Sequence, residues 1–250
     1  IPKRISKSRA ILARKKSGKT AFLQRLFNQL WNQNGQVVPF YIEFSDSKMW
    51  LPDFAVLYYE TFASQYISFI ERDDAPIGRQ LSLSEIREYG EKKGLDAFVR
   101  DVNELEHLEE KKKYDLMWRL AYDAPRRFAG IFKNRVLVMI DEFQNINQFI
   151  YVDQNKTIKD ESLAGSFHEH SESKIAPMLV TGSYVGWLVN VINTSLEAGR
   201  LKFIRLSPYL SPEEGLEAVY KYAELHDVAI TNETALLINQ LCFSDPFFIS

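Results

Sequence analysis

The sequence predicts an α/β fold, and three observations predict it. Five apolar runs of strand length recur along the chain, segments with helical spacing of apolar residues lie between them, and turn signals bound them. Continuous apolar runs fit parallel strands covered on both faces, the arrangement that alternation with helices produces. A chain of 250 residues that is 46% hydrophobic and 26% charged can bury a substantial core, as one large domain or as a core domain with a smaller appendage.

The runs are RAILAR (9–14), VVPFYIEF (37–44), RVLVMIDEF (135–143), IAPMLVTG (175–182) and LKFIRLS (201–207). Between the first two, KTAFLQRLFNQLWNQN places Phe22, Leu23, Leu26, Phe27 and Leu30 on one helical face and ends before Gly35, a C-terminal stop. Residues 81–134 read as charged helices, with EEKKK as a solvated face; Trp118, Tyr122 and Phe128, beside Arg126 and Arg127, are assigned to core packing rather than to a partner surface. The stretch FIYVDQNKTIKDESLAGSFHEHSESK reads as a polar loop and short helix. His168 and His170, two apart, do not share a helix face, so no zinc site is expected.

The fourth run belongs to an uncharged stretch, 175–196, long enough to cross a bilayer. Pro177, Gly182, Gly186, Asn190 and Asn193 make insertion costly, and a buried strand, a tight turn at TGS and a helix form the better parse. After Ser207 two amphipathic helices are expected. Ser211-Pro212-Glu213-Glu214 supplies a cap, a first-turn proline and acids at the positive helix end, and Thr231 to Thr234 gives a similar start.

A net charge of −2 and the lack of a basic stripe with interleaved aromatics do not indicate a nucleic-acid partner. The first residues are basic without an apolar segment, and Cys242 is the single cysteine, so a cytoplasmic chain is expected, trimmed at its N-terminus because it does not begin with Met.

Two motifs carry chemistry. In ILARKKSGKT (11–20), Gly18, Lys19 and Thr20 fit the second half of G-x-x-x-x-G-K-[ST], with Ala13 where the first glycine belongs. The motif falls at a strand-to-helix junction, where backbone N–H groups and a helix N-terminus point at phosphate oxygens. Ala13, Arg14, Lys15, Lys16, Ser17, Gly18, Lys19, Thr20 and Ala21 then form the loop; Lys19 reaches the terminal phosphates and Thr20 offers its hydroxyl to Mg²⁺. Ala13 matters if that position needs positive φ. The competing reading is a surface turn rich in Arg14, Lys15 and Lys16. In RVLVMIDEFQN, Asp141 and Glu142 end a buried strand, where ligands of open α/β sheets bind and where desolvated carboxylates need a partner or a metal. Asp141 would hold the Mg²⁺ shell and Glu142 would polarise an attacking water; otherwise the two are a solvated acidic pair.

LARKKSGKTAFLQRLFN, VLVMIDEFQNI, PMLVTGSYVGWL and GRLKFIRLSPYLSPEEGLEAVYKY resemble the P-loop, Walker B, sensor-1 strand and following segment of AAA+/STAND ATPases, especially the archaeal-type ATPase group. The resemblance covers most of 8–250 and is thin across 45–134. It implies a P-loop NTPase core over 1–207, with a parallel sheet in order 5-1-4-3-2 and a helical insertion at about 81–134, followed by a helical lid over 208–250. Family members carry glycine and then proline or arginine where this chain has Ala13 and Arg14, and usually continue into a winged-helix or effector region, whereas this chain stops at Ser250.

The same resemblance makes Ser183 the sensor-1 candidate, with Thr181 as fallback, beside the plainer reading of a polar turn. It makes Arg200 the arginine finger or sensor, beside that of a solvated arginine. It also sets Pro246, in SDPFF, at a Gly-x-Pro lid signature in which Ser244 and Asp245 replace glycines. The implied activity is Mg²⁺-dependent ATP hydrolysis that switches or drives a protein partner or a homo-oligomer. The alternative is a nucleotide-binding interaction module with little or no hydrolysis.

Overall fold

The computed structural model describes residues 8–196 and 201–249. In chain order the elements are β1 (Arg9–Leu12), α1 (Lys19–Gln33), β2 (Val37–Glu43), β3 (Met49–Trp50), α2 (Leu51–Glu71), α3 (Ala75–Gly78), α4 (Leu83–Lys93), α5 (Asp96–Glu110), α6 (Tyr114–Ile131) and β4 (Arg135–Asp141). After a 3-10 turn (Phe143–Asn145) come α7 (Ile146–Phe149), β5 (Ile150–Tyr151), a second 3-10 turn (Leu163–Phe167), α8 (His168–Glu172), β6 (Met178–Gly182), α9 (Val185–Ser195) and β7 (Lys202–Arg205). The chain closes with α10 (Pro212–Leu225), α11 (Asn232–Leu241) and α12 (Pro246–Ile249).

Five strands form one sheet in the order β2-β4-β6-β1-β7, and every pairing is parallel. Two short strands, β3 and β5, form a separate parallel pair. Counting the five main-sheet strands alone along the chain, the order read from the β7 edge is 5-1-4-3-2. The uncharged stretch at 175–196 divides into β6, a turn at Ser183 and α9, and no described helix is long and apolar enough to cross a membrane.

Alternation along β4 explains how the layers are held. Val136, Val138 and Ile140 face one core, while Leu137 and Met139 face another formed with Leu23, Phe27 and Leu30 of α1. In α1 the buried apolar residues are Leu23, Phe27 and Leu30; Phe22 is exposed and Leu26 half-buried, so the buried stripe is narrower than the sequence spacing implies. The helix stops one residue before Gly35, because Asn34 adopts the left-handed cap that ends it (φ 45°).

The other face of the sheet carries the larger core. Phe40 of β2 meets Tyr58 and Phe62 of α2 edge-on, and Phe62, Tyr66, Phe98 and Phe128 continue the cluster through α5 and α6. Trp118 and Phe128 are buried there and Tyr122 packs at the margin, so these rings belong to the core. The charged segment at 81–134 is amphipathic, and its apolar side closes over α2. Arg127 bonds the buried carboxylate of Asp101 at 2.5 Å, and Arg126 bonds Asp123 at 2.7 Å.

His170 is fully buried against Tyr122 and Phe167, and neither ring nitrogen has a hydrogen-bond partner. Burial lowers its pKa to about 4; Asp123 opposes the shift, and Arg126 and Arg127 reinforce it. The folded value lies below the unfolded one, so between about pH 6.5 and 4 the unfolded chain binds a proton that the folded chain refuses. Stability is predicted to fall across that window by up to about 1.4 kcal/mol per pH unit, and His170→Leu to remove that component; chemical denaturation at a series of pH values measures both slopes.

Candidate functional site

The site forms at the C-terminal ends of β1, β4 and β6, where the parallel sheet points three loops to one side. After β1 the chain makes a tight loop into α1. Ala13 is buried and does not take positive φ, so the missing first glycine costs no backbone freedom here. The positive angles fall instead at Lys16 (φ 60°) and Gly18 (φ 78°). Gly18 is the N-cap of α1 and supplies no side-chain cap, so the first N–H groups of the helix remain available to an anion.

The loop's side chains divide in role. Lys19 is buried and donates to the Arg14 carbonyl at 2.7 Å, while Ser17 donates to that same carbonyl at 2.8 Å. Burial lowers the Lys19 pKa, and the charges of Glu142 and Asp141 work against that shift. Lys15 lines a cavity beside Glu142, and Ala21 is exposed on the first turn of α1. Arg14 forms an ion pair with Asp245, whose carboxylate is 2% exposed, and Lys16 sits 4.9 Å over the Phe247 ring. Two loop cations are therefore engaged by the helical C-terminal segment.

Asp141 closes the opposite side. It is fully buried and accepts from Thr20 Oγ1 at 2.5 Å and from Thr181 Oγ1. The fallback sensor Thr181 is thus spent on holding Asp141. Thr20 and Asp141 are hard oxygen donors in contact, a set that suits Mg²⁺ when phosphates complete the shell. Among the described residues no group of three or more His, Cys, Asp or Glu could hold a metal by itself, so a cation here would need the ligand's oxygens.

Glu142 follows in the left-handed conformation (φ 51°), which turns its side chain away from the strand pattern. Ser183 donates to it from its backbone N at 2.9 Å and from its hydroxyl, and Gln144 Nε2 donates at 2.6 Å. Burial works to raise the Glu142 pKa; the bonds from Ser183 and Gln144, with the Lys19 charge, outweigh it and hold the carboxyl below its ordinary value. Glu43, at the tip of β2 in register with Asp141, is shifted the other way by burial and by the charges of Asp141, Glu142 and Asp46. A cavity of about 570 Å³ opens beside Glu142, with Tyr184 and Trp187 exposed at its edge, their rings 4.9 Å apart.

The fold thus brings together Lys19, Thr20, Asp141, Glu142 and Ser183, while Arg200 lies outside the described residues. Sequence reasoning missed Gln144, which reads as one more polar turn residue. It also missed the Arg14–Asp245 pair, which joins positions 231 apart and follows no spacing rule.

No protein-family model matches the sequence, and no curated protein matches it. Among solved structures, the chain is similar to a Walker-type ATPase of Pyrococcus abyssi (TM-score 0.59, 14% identity, 96% of this chain and 60% of that one). It also matches Cdc6p of Pyrobaculum aerophilum (TM-score 0.43, 13% identity, 94% of this chain and 48% of that one). The chain therefore spans less than two thirds of the length of these proteins. The first likeness agrees with the archaeal-type AAA+/P-loop resemblance carried by the motifs, and it is a likeness of fold.

Lys19 holds a charge in a buried place and bonds only a carbonyl that its own loop supplies. Lys19→Ala is predicted to abolish binding of ATP with Mg²⁺ while leaving the thermal midpoint unchanged or raised. Equilibrium binding and a melting curve on the same preparation check both halves.

Proposed function

We propose that the chain, whose fold is similar to that of a Walker-type ATPase, binds and hydrolyses ATP with Mg²⁺ and that nucleotide moves its C-terminal helical segment to switch a partner. The observation that carries this is the meeting of Thr20 and Asp141 at 2.5 Å, with Lys19 buried on one side and Glu142 on the other. In this reading Lys19 and the N-terminus of α1 hold the phosphates. Thr20 and Asp141 hold Mg²⁺, which supplies charge neutralisation on the phosphate oxygens. Glu142 orients and polarises water, Ser183 senses the terminal phosphate through its bonds to Glu142, and Arg200 is the candidate arginine finger.

Residues 1–207 would be the nucleotide-binding core, with its helical insertion at about 81–134, and 208–250 the lid. The chain would act in the cytoplasm on a protein partner or a second copy of itself. The switch follows from competition: Arg14 and Lys16 are engaged by Asp245 and Phe247, and a triphosphate entering the loop would draw on the same cations.

A second reading, a nucleotide-binding module with little hydrolysis, is favoured by one observation. Glu142 already accepts three hydrogen bonds from the chain itself, which hold it as a weaker base.

Glu142→Gln decides between the two. On the ATPase reading it binds ATP as the parent does but slows single-turnover hydrolysis by about 10²-fold or more; a parent that binds ATP without hydrolysing it above background would establish the module, and equal measurable hydrolysis in parent and variant would remove Glu142 from the base role. The switch has a separate consequence. Asp245→Ala should tighten ATP binding roughly two- to fivefold, because an exposed arginine's ion pair is worth at most about 1 kcal/mol. Titration calorimetry of the parent and the Asp245 variant reads that difference.

A further inference from the structure

Gln144 is fully buried in the 3-10 turn that follows β4. Its neighbours anchor the turn: Phe143 packs against Phe44 and Phe167, and Asn145 Nδ2 donates to the Phe44 carbonyl at 2.9 Å. The Gln144 side chain does no such work. Its amide nitrogen donates to Glu142 Oε2 at 2.6 Å and lies 3.4 Å from Asn145 Oδ1, while its oxygen is buried without a donor. The orientation is forced, because turning the amide over would set its oxygen against a carboxylate. An apolar side chain would fill the same space and leave no orphaned acceptor, so packing alone does not account for a glutamine here. What an apolar side chain cannot do is donate to Glu142.

The space for this amide is made by Gly182. A Cβ at that position would lie 2.0 Å from Gln144 Oε1 and 3.0 Å from Gln144 Cδ. The next residue is Ser183, whose backbone N donates to the same oxygen, Glu142 Oε2, and whose hydroxyl donates to Oε1. The Gly182-Ser183 step at the end of β6 therefore provides both the seat of the Gln144 amide and two further donors to the carboxylate.

We propose that Gln144, seated over Gly182, is a positioning residue that fixes the carboxylate of Glu142 for its work on water. This rests on the reading of Glu142 as the group that polarises water, and it adds the residue pair that sets its orientation. A carboxylate clamped by fixed donors keeps one geometry.

Gln144→Glu, Gln144→Leu and Gly182→Ala in the full chain test the proposal, read by kcat, by KM and by binding of a fluorescent ATP analogue. Gln144→Glu keeps the length of the side chain and removes the donor, and it lowers kcat about tenfold with KM and analogue binding unchanged. Gln144→Leu lowers kcat about tenfold at neutral pH and leaves KM in place. Gly182→Ala displaces the amide without altering either partner and reproduces the Leu phenotype. If one substitution prevents folding, the others carry the same readout. A merely structural glutamine would lower the thermal midpoint and leave kcat, measured well below that midpoint, at the parental value, and that result overturns the proposal. Wild-type turnover in Glu142→Gln would overturn the reading of Glu142 itself; an inactive Glu142→Gln together with parental kcat in the Gln144 variants would overturn the positioning role alone.

Discussion

The arrangement depends on one buried carboxylate. Asp141 ends β4 with no exposed surface, and its two oxygens are taken by hydroxyls from different parts of the chain, Thr20 at the start of α1 and Thr181 on β6. These bonds hold the phosphate-loop helix and the tip of β6 to the middle of the sheet, so the geometry of every neighbouring group follows from them. A carboxylate removed from water is costly without a countercharge, and two hydroxyls only partly offset that cost. The charge of Lys19 interacts with Asp141, and that lysine is itself desolvated and bonded to a carbonyl. In the proposed function this set of desolvated groups is what a ligand bringing a divalent cation and phosphate would meet.

The far face of the sheet is closed by aromatic packing. Interlocking rings from Phe40 through Tyr58, Phe62 and Phe128 to Phe98 tie α2, α5 and α6 to β2. The cluster reaches the site itself, since Phe44 and Phe143 flank the ends of β2 and β4 and stack on each other with ring centroids 6.2 Å apart. Close-packed interiors are hard to compress and transmit strain, so a change of ring size at either position would be felt at these strand tips.

The layer pattern and the two motifs were legible because they are local. Continuous apolar runs mark doubly covered strands, and Gly18-Lys19-Thr20 and Asp141-Glu142 fall within a few residues of a strand end that hydropathy alone locates. The exposure of Phe22 was not legible, because the spacing of α1 allows a wider stripe than the sheet residues packed against it, among them Val37, Leu137, Met139 and Leu179, cover. The core role of Trp118 and Phe128 in the charged segment at 81–134 was legible, but not which helix they pack against, since amphipathic helices announce a buried side without saying what covers it. Gln144 was hidden by chemistry: glutamine in a turn is ordinary, and only full burial beside a carboxylate gives it meaning.

The Arg14–Asp245 contact shows how a weak interaction can serve a switch. Asp245 is buried, but the arginine is half exposed, so water screens the pair and its contribution stays near the low end for ion pairs. A stronger tether would hold the C-terminal segment against any ligand, and a weaker one would leave its position independent of the loop. A tether of about 1 kcal/mol would be offset by a ligand that binds the released loop about fivefold more tightly than the tethered one. In the proposed switch linkage would make the effect reciprocal: whatever phosphate did to loosen the segment, a partner that drew the segment away would do to strengthen phosphate binding, by the same factor. In the proposed switch, a partner holding α10–α12 would therefore act as an affinity modulator for nucleotide without touching the nucleotide at all.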